Sequence, residues 1–173
     1  MPDQPTIFTI GHSTNSYKKF VGLLQSFNIE TLAHVRNFPG SMKFPHFNKE
    51  FMEAELGKSQ IEYCHFKNLG GRRKPDPDSK NTAWRHSAFR GYADYMESTD
   101  FIEGIHQLQQ KALESCTAIM CSEAVWWRCH RSMVSDYLKS KSWKVMHILN
   151  TDKVAEHPYT APAKIVMGRL TYK

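Results

Sequence analysis

The sequence predicts a three-layer α/β domain, with a mostly parallel sheet of about five strands held between layers of helix. Three observations lead there. Short apolar or β-branched runs recur along the 173 residues, most are followed by apolar residues at helical spacing, and Gly or polar residues punctuate the joins. Strands that alternate with helices run in one direction, because each crossover returns the chain to the same end of the sheet. The length suits one compact domain spanning residues 1–173.

Thr6-Ile-Phe-Thr-Ile10 reads as the first strand, ended by Gly11. Ser16 then opens a helix from Tyr17 to Phe27, with an apolar face of Phe20, Val21, Leu23, Leu24 and Phe27. Ile29 to Val35 gives a second strand, Asn48 to Leu56 a helix and Ile61 to Phe66 a third strand. After a polar stretch the pattern predicts a helix over Phe89 to Met96. Thr99-Asp100 caps another that runs to about Ser115. Cys116-Thr-Ala-Ile-Met120 is a buried strand, Ser132 to Leu138 a helix and Trp143 to Leu149 a fifth strand. The Pro-containing tail from Lys153 ends in an edge strand around Ile165 to Met167. Between the third strand and the next helix, Arg72 to Asn81 is polar with two prolines and reads as a mobile lid or a solvated surface loop.

Composition narrows the class. With 40% hydrophobic residues the chain is ordinary globular material, and no apolar run approaches the roughly 20 residues of a spanning helix. Met-Pro-Asp-Gln-Pro at the N-terminus lacks the basic region, apolar core and cleavage site of a secretory signal, so the expected location is the cytoplasm. In that reducing compartment the four cysteines read as free thiols or metal ligands rather than a disulfide framework. The formal charge of +6 is spread evenly: residues 1–86 carry 12 basic and 8 acidic groups, residues 87–173 carry 11 and 9. A diffuse excess favours polyanions modestly and provides no basic tail. No cofactor is implied.

The chemistry concentrates in Ile119-Met-Cys-Ser-Glu-Ala-Val-Trp-Trp-Arg-Cys-His-Arg131, on a strand-to-helix turn. Parallel strands end along one edge, where α/β domains bind ligands. There Gly11-His-Ser13, Arg36 with Pro39-Gly-Ser41 beyond it, Leu69-Gly-Gly-Arg-Arg73 and Cys121-Ser-Glu123 converge. Cys121, placed near a helix N-terminus with Arg128 and Arg131 close in sequence, is expected to have thiolate character; the alternative is a small buried hydrophobe. The segment Cys121 to Arg128 has the outline of the phosphate loop of cysteine phosphatases, with six intervening residues in place of five. Glu123 is either an acid or base or an ion-pair partner of Arg128 or Arg131. Cys129 is a possible second thiol, or with Cys121, His130 and a distant histidine a zinc ligand, although the spacing lacks the tight pairing of zinc sites. Trp126 and Trp127 read evenly as stacking platforms or core, and Arg90 with Asp94 as an exposed i, i+4 charge pair.

Taken together, Thr9-Ile-Gly-His-Ser13, Val35-Arg36 with Pro39 and Ser41, Pro45 with Phe47, Leu69-Gly-Gly-Arg-Arg73, Phe89 to Met96, Met120-Cys121 with Glu123, and Cys129-His-Arg131 resemble the bacterial and archaeal domain-of-unknown-function family numbered 488. The resemblance runs from about Thr6 to Leu149, leaving residues 150–173 as a C-terminal extension. It implies a compact, Rossmann-like α/β domain, cytoplasmic placement and a shared site, and supplies no reaction. His34 stands where the family usually has an acidic residue, and Met42-Lys43-Phe44 where a basic residue is common.

The leading expectation is a cysteine-dependent hydrolase or transferase acting on a phosphate-bearing substrate, a nucleotide or nucleic acid. Cys121, Glu123, His12 and His130 are its candidate catalytic residues; Ser13, Arg36, Arg72, Arg73, Arg90 and Arg131 its candidate substrate ligands. The alternatives are a noncatalytic nucleotide or nucleic-acid binding module, and a thiol redox or zinc-binding protein.

Overall fold

The structure, a computed structural model, describes residues 3–173. In chain order it contains β1 (Thr6–Gly11), α1 (Tyr17–Ser26), β2 (Thr31–His34), α2 (Lys49–Leu56), β3 (Glu62–His65), α3 (Ser87–Tyr95), α4 (Thr99–Glu114) and β4 (Thr117–Cys121). Then follow α5 (Arg131–Ser140), β5 (Lys144–Asn150), β6 (Lys153–Glu156), β7 (Lys164–Val166) and β8 (Arg169–Thr171). The main sheet has the order β3-β2-β4-β1-β5-β6, and its first five strands are parallel. No helix among the described residues is long and apolar enough to cross a membrane.

The α/β fold, the parallel sheet and the flanking helices are those the sequence predicts. Three details differ. A sixth strand, β6, runs antiparallel to β5, because only a tight turn at Thr151-Asp152 separates them and a turn that short reverses the chain. The expected edge strand at Ile165 to Met167 pairs instead within a separate hairpin of β7 and β8. The cap of α4 is Ser98, whose hydroxyl accepts the Phe101 N–H at 3.2 Å.

Strand periodicity of two splits the interior into two cores. On β1, Ile7 faces the layer of α3, α4 and α5, while Ile10 faces α1 and α2; on β4, Ile119 and Cys121 take the first side, Ala118 and Met120 the second. Phe20, Leu24, Met52 and Leu56 fill one core, and Tyr92, Phe101, Leu108 and Leu138 the other. Each fully buried side chain of this size contributes roughly 1.5–3 kcal/mol.

The crossovers position the site. β2 leads into α2 on one face of the sheet, and its neighbour β4 leads into α5 on the opposite face. Where adjacent connections part to opposite faces a crevice opens at the C-terminal strand ends. The polar segment 72–81 that borders this region is irregular but tethered: the Asp94 carboxylate accepts from the Asp76 N–H, the Ser79 hydroxyl and the Asn81 amide at 2.6–2.9 Å. Burial opposes the charge on Asp94, and these donors outweigh it, holding its carboxyl below the ordinary range. Asp94 is thereby committed to this loop, while Arg90 donates Nε–H to the Trp84 carbonyl at 3.0 Å.

The C-terminal extension is fastened by a fully buried chain of polar groups. Asp136 of α5 accepts from the Thr160 N–H and hydroxyl, from the Tyr172 hydroxyl at 2.8 Å and from His157 Nε2 at 2.8 Å. His157 Nδ1 lies 2.8 Å from His147 Nε2, and His147 Nδ1 meets the Thr9 hydroxyl. Since the carboxylate only accepts, His157 Nε2 carries a hydrogen and donates it to Asp136. Asp136→Ala strips a buried acceptor from four donors; the expected loss is about 3–5 kcal/mol by urea denaturation, and a loss under about 1 kcal/mol would show that the network does not hold the tail.

Candidate functional site

The crevice between the ends of β2 and β4 has a volume of about 350 Å³. Arg36 and Phe38 come from the segment after β2, Gly71 and Arg72 from that after β3, and Cys121 to Glu123 with Arg128 to His130 from the loop after β4. Phe89 and Tyr92 of α3 close it, together with His86 just ahead of that helix. A shallower depression of about 740 Å³ follows the outer face of α4 and contains none of the predicted site residues.

Backbone contacts between strand ends shape the floor. The His12 N–H donates to the Cys121 carbonyl at 2.9 Å and the Ser13 N–H to the Ser122 carbonyl at 3.0 Å, extending the β1–β4 ladder past both strands. The loop then crosses Gly11 so closely that a Cβ there would lie 1.7 Å from the Glu123 carbonyl oxygen. Only glycine allows this passage. A second close approach occurs at Gly71, where a Cβ would sit 2.8 Å from the His130 ring.

This path brings two thiols together. Cys121 Sγ and Cys129 Sγ are 2.6 Å apart, and both are nearly buried, at 2% and 6% exposure. Arg131, itself 2% exposed, donates from Nη1 to Cys121 Sγ at 2.6 Å and to the Glu123 carbonyl at 2.7 Å, while its Nη2 reaches the Ala124 carbonyl at 3.4 Å. Its backbone N–H points at Cys129 Sγ from 3.4 Å. Cys129 has extended backbone angles and its carbonyl accepts the Ser132 N–H, so its sulfur sits where the first unpaired N–H groups of α5 gather.

A guanidinium stays charged inside a protein, and burying it without a counterion is costly. Among the described residues no carboxylate forms an ion pair with Arg131. The ionisable groups beside it are the two thiols. Burial works against ionisation of Cys129, but the Cys121 S–H, the Arg131 guanidinium and the Arg131 N–H outweigh it and hold this thiol below its ordinary pKa. Burial, together with donation to Cys129, pushes Cys121 well up. Of the two thiols, Cys129 is thus the one favoured for ionisation. The sequence points to Cys121 as the acidified thiol because it ends the strand; the geometry shifts that character to Cys129, the residue at the helix N-terminus.

His130 is oriented by the Val35 carbonyl, 2.8 Å from its Nε2. Because the carbonyl can only accept, Nε2 carries the hydrogen, and Nδ1, 3.6 Å from Cys129 Sγ, is left as a base. Burial lowers its pKa, keeping the ring neutral near pH 7.

The remaining predicted residues divide by location. Arg36 and Arg72 line the crevice, and Arg36 Nη1 is buried with no partner. Glu123 also lines it, with its carboxylate exposed and paired with neither Arg128 nor Arg131. His12 lies on the α1–α2 side, stacked on Phe47 at 4.1 Å, and burial lowers its pKa to about 4. Ser13 adopts a left-handed φ of 48° at the loop crossing, and neither it nor His12 lines the crevice. Arg73 stacks on Tyr95 at 3.7 Å and donates Nε–H to the Gly70 carbonyl, and Arg90 supports Trp84; both lie outside the crevice. Trp126 packs parallel to His147 at 4.7 Å, whereas Trp127 is exposed. His34, at the end of β2, is buried and meets the Tyr63 hydroxyl.

Sequence reasoning did not place His86, Phe38, Phe89 or Tyr92 at the site. His86 accepts the Ala88 N–H and so caps α3; the polar residue just ahead of the helical pattern was the available signal. No group of three or more His, Cys, Asp or Glu among the described residues is arranged to hold a metal ion.

Cys64 and Cys116 are raised by burial and by the neighbouring carboxylates Glu62 and Glu30. A depressed thiol keeps its charge as pH falls, so the pH profile of alkylation should have its lowest midpoint at Cys129 among the four cysteines, read by peptide mass spectrometry on the native protein. A lower midpoint at Cys121 would reverse the assignment of charge within the pair.

Comparison with curated proteins and with solved structures finds no match. Residues 16–138 match the family described as Domain of unknown function DUF488, a span that takes in the second to fourth strands, both thiols and Arg131 and ends inside α5. With most of its length covered by that match, this chain belongs to the DUF488 family.

Proposed function

We propose that the chain is a cysteine-dependent hydrolase or transferase that acts on a small phosphate-bearing substrate, such as a nucleotide, with Cys129 as its nucleophile. One observation carries the reading: a thiol pair in contact with a buried arginine opens into a crevice whose walls carry Arg36, Arg72 and Arg128. A guanidinium group meets a phosphate with paired donors, and the unpartnered Nη1 of Arg36 is already desolvated for that purpose. Phe38 and Phe89 offer apolar surface for a base or sugar.

The chemistry follows from the proton positions. The Cys129 sulfur attacks the electrophilic atom of the substrate and the bond to the leaving group breaks. The leaving group takes its proton from water in the crevice, since His130 Nδ1 carries none in the resting site. Water or another acceptor, deprotonated by the same nitrogen, then attacks the intermediate and frees the sulfur. Cys121 donates its S–H to Cys129 and steadies the thiolate between turnovers. Glu123, exposed at the rim, is placed to contact bound substrate without taking part in the thiol network.

A noncatalytic module that grips extended nucleic acid would use the same arginines, but a crevice of about 350 Å³ fits one nucleotide unit better than a tract of backbone. The salt dependence of binding separates the two, being steep for many phosphate contacts and shallow for one.

A panel of nucleotides and phosphate esters tests the proposal. Cys129→Ser should abolish turnover while the variant still binds substrate, and Arg36→Ala should weaken binding by about 1.5–3 kcal/mol, tenfold or more in Kd. Turnover retained in Cys129→Ser would remove the nucleophile, and unchanged affinity in Arg36→Ala would remove the phosphate contact.

A further inference from the structure

We infer that Cys121 and Cys129 form a redox couple, oxidised by hydroperoxides to an intramolecular disulfide without rearrangement of the fold. The inference stands on the contact between the two sulfurs and on their opening into the crevice, whatever the crevice binds.

The first requirement is a thiolate that an oxidant can reach. Cys129 lines the crevice, faces the Arg131 N–H and lies at the start of α5. A hydroperoxide is small and uncharged, so neither the narrow floor nor the surrounding arginines exclude it. The second requirement is a resolving thiol within reach. Cys121 Sγ lies 2.6 Å from Cys129 Sγ, and the backbone on either side is fixed by the β1–β4 ladder extension and by the first turn of α5. The third is that the guanidinium beside the pair keeps hydrogen-bond acceptors in the oxidised state. Arg131 keeps the Glu123 and Ala124 carbonyls as acceptors when Cys121 loses its proton, and Arg36 and Arg72 remain open to solvent anions through the crevice.

The electron balance closes in two steps. The Cys129 thiolate attacks one oxygen of the hydroperoxide: an S–O bond forms, the O–O bond breaks, and the departing oxygen takes a proton to leave as an alcohol or water, giving a sulfenic acid. The Cys121 sulfur then attacks the Cys129 sulfur: the S–S bond forms, the S–O bond breaks, and the hydroxyl leaves as water with the Cys121 proton. Two thiols lose two electrons and the peroxide gains them. An external dithiol reverses the result by exchange. Since the pair includes the proposed nucleophile, oxidation also silences any thiol chemistry in the crevice, and the early disulfide protects Cys129 from irreversible oxidation.

The test treats the full-length native protein with a small excess of hydrogen peroxide and follows intact mass, peptide mapping and thiol alkylation. The expected result is loss of two hydrogens per molecule, a cross-linked pair of peptides carrying Cys121 and Cys129, free Cys64 and Cys116, and full reversal by dithiothreitol. In Cys121→Ser, and in Cys121→Ala should the serine variant fold poorly, the sulfenic acid should persist on Cys129 and be trapped by a cyclic 1,3-diketone. Progression of wild-type Cys129 to sulfinic acid without a disulfide would overturn the inference, as would thiols that remain reduced in peroxide while Cys129 still reacts with an alkylating agent. A phosphate-ester activity that fails to appear leaves these readouts untouched, so the two claims fail separately.

Discussion

Arg131 is the constraint on which the site depends. Its guanidinium is buried, it meets no carboxylate among the described residues, and its side chain reaches a sulfur and two carbonyl oxygens. A buried cation of this kind favours an anion beside it, so the packing lowers the cost of ionising the cysteine pair. The same guanidinium ties down the loop after β4 through the Glu123 and Ala124 carbonyls, which makes one residue both the source of thiolate character and the organiser of the crevice floor. Thiol chemistry here is a consequence of packing.

Topology brings the groups together and the extension keeps them there. The parting of the crossovers after β2 and β4 opens the crevice, and the extended β1–β4 ladder with the glycine crossing at Gly11 fixes where the loop leaves the sheet. On the far side of that loop Trp126 lies parallel to His147 and edge-on to His157, the two imidazoles of the chain that ends on Asp136. His147, His157, Thr160 and Tyr172 all lie beyond residue 138, where the family match stops. β5 and the C-terminal extension therefore prop the thiol loop of this protein from behind, through residues that lie beyond the matched region.

Much of this was legible in the sequence, for identifiable reasons. Strands with period-two burial and helices with clear apolar faces announce themselves, and parallel strands must share an edge, so the collection of Arg36, Gly71, Arg72 and Cys121 near one crevice follows from order along the chain. The separation of His12 from the thiols was readable too: Ile10 and His12 point to the same side of β1, opposite to the face that Cys121 takes on β4. What could not be read depends on distant pairing. Lys153-Val-Ala-Glu156 is too short and too polar to declare a strand, and the Asp136 network joins residues as far as 138 positions apart. The acidification of Cys129 is likewise invisible locally, since it needs the turn at 122–128 to fold back and set the helix start beneath the end of β4.

The measurement that tests the central claim most directly is ligand protection: the rate at which iodoacetamide modifies Cys129 in the native protein, with and without a saturating nucleoside 5′-monophosphate, whose binding is followed in parallel by calorimetry. If the thiol pair and the arginine-lined crevice are one site, the bound nucleotide slows Cys129 modification severalfold and leaves Cys64 and Cys116 unaffected. A nucleotide that binds while Cys129 reacts at its original rate would place the anion site elsewhere and contradict the account.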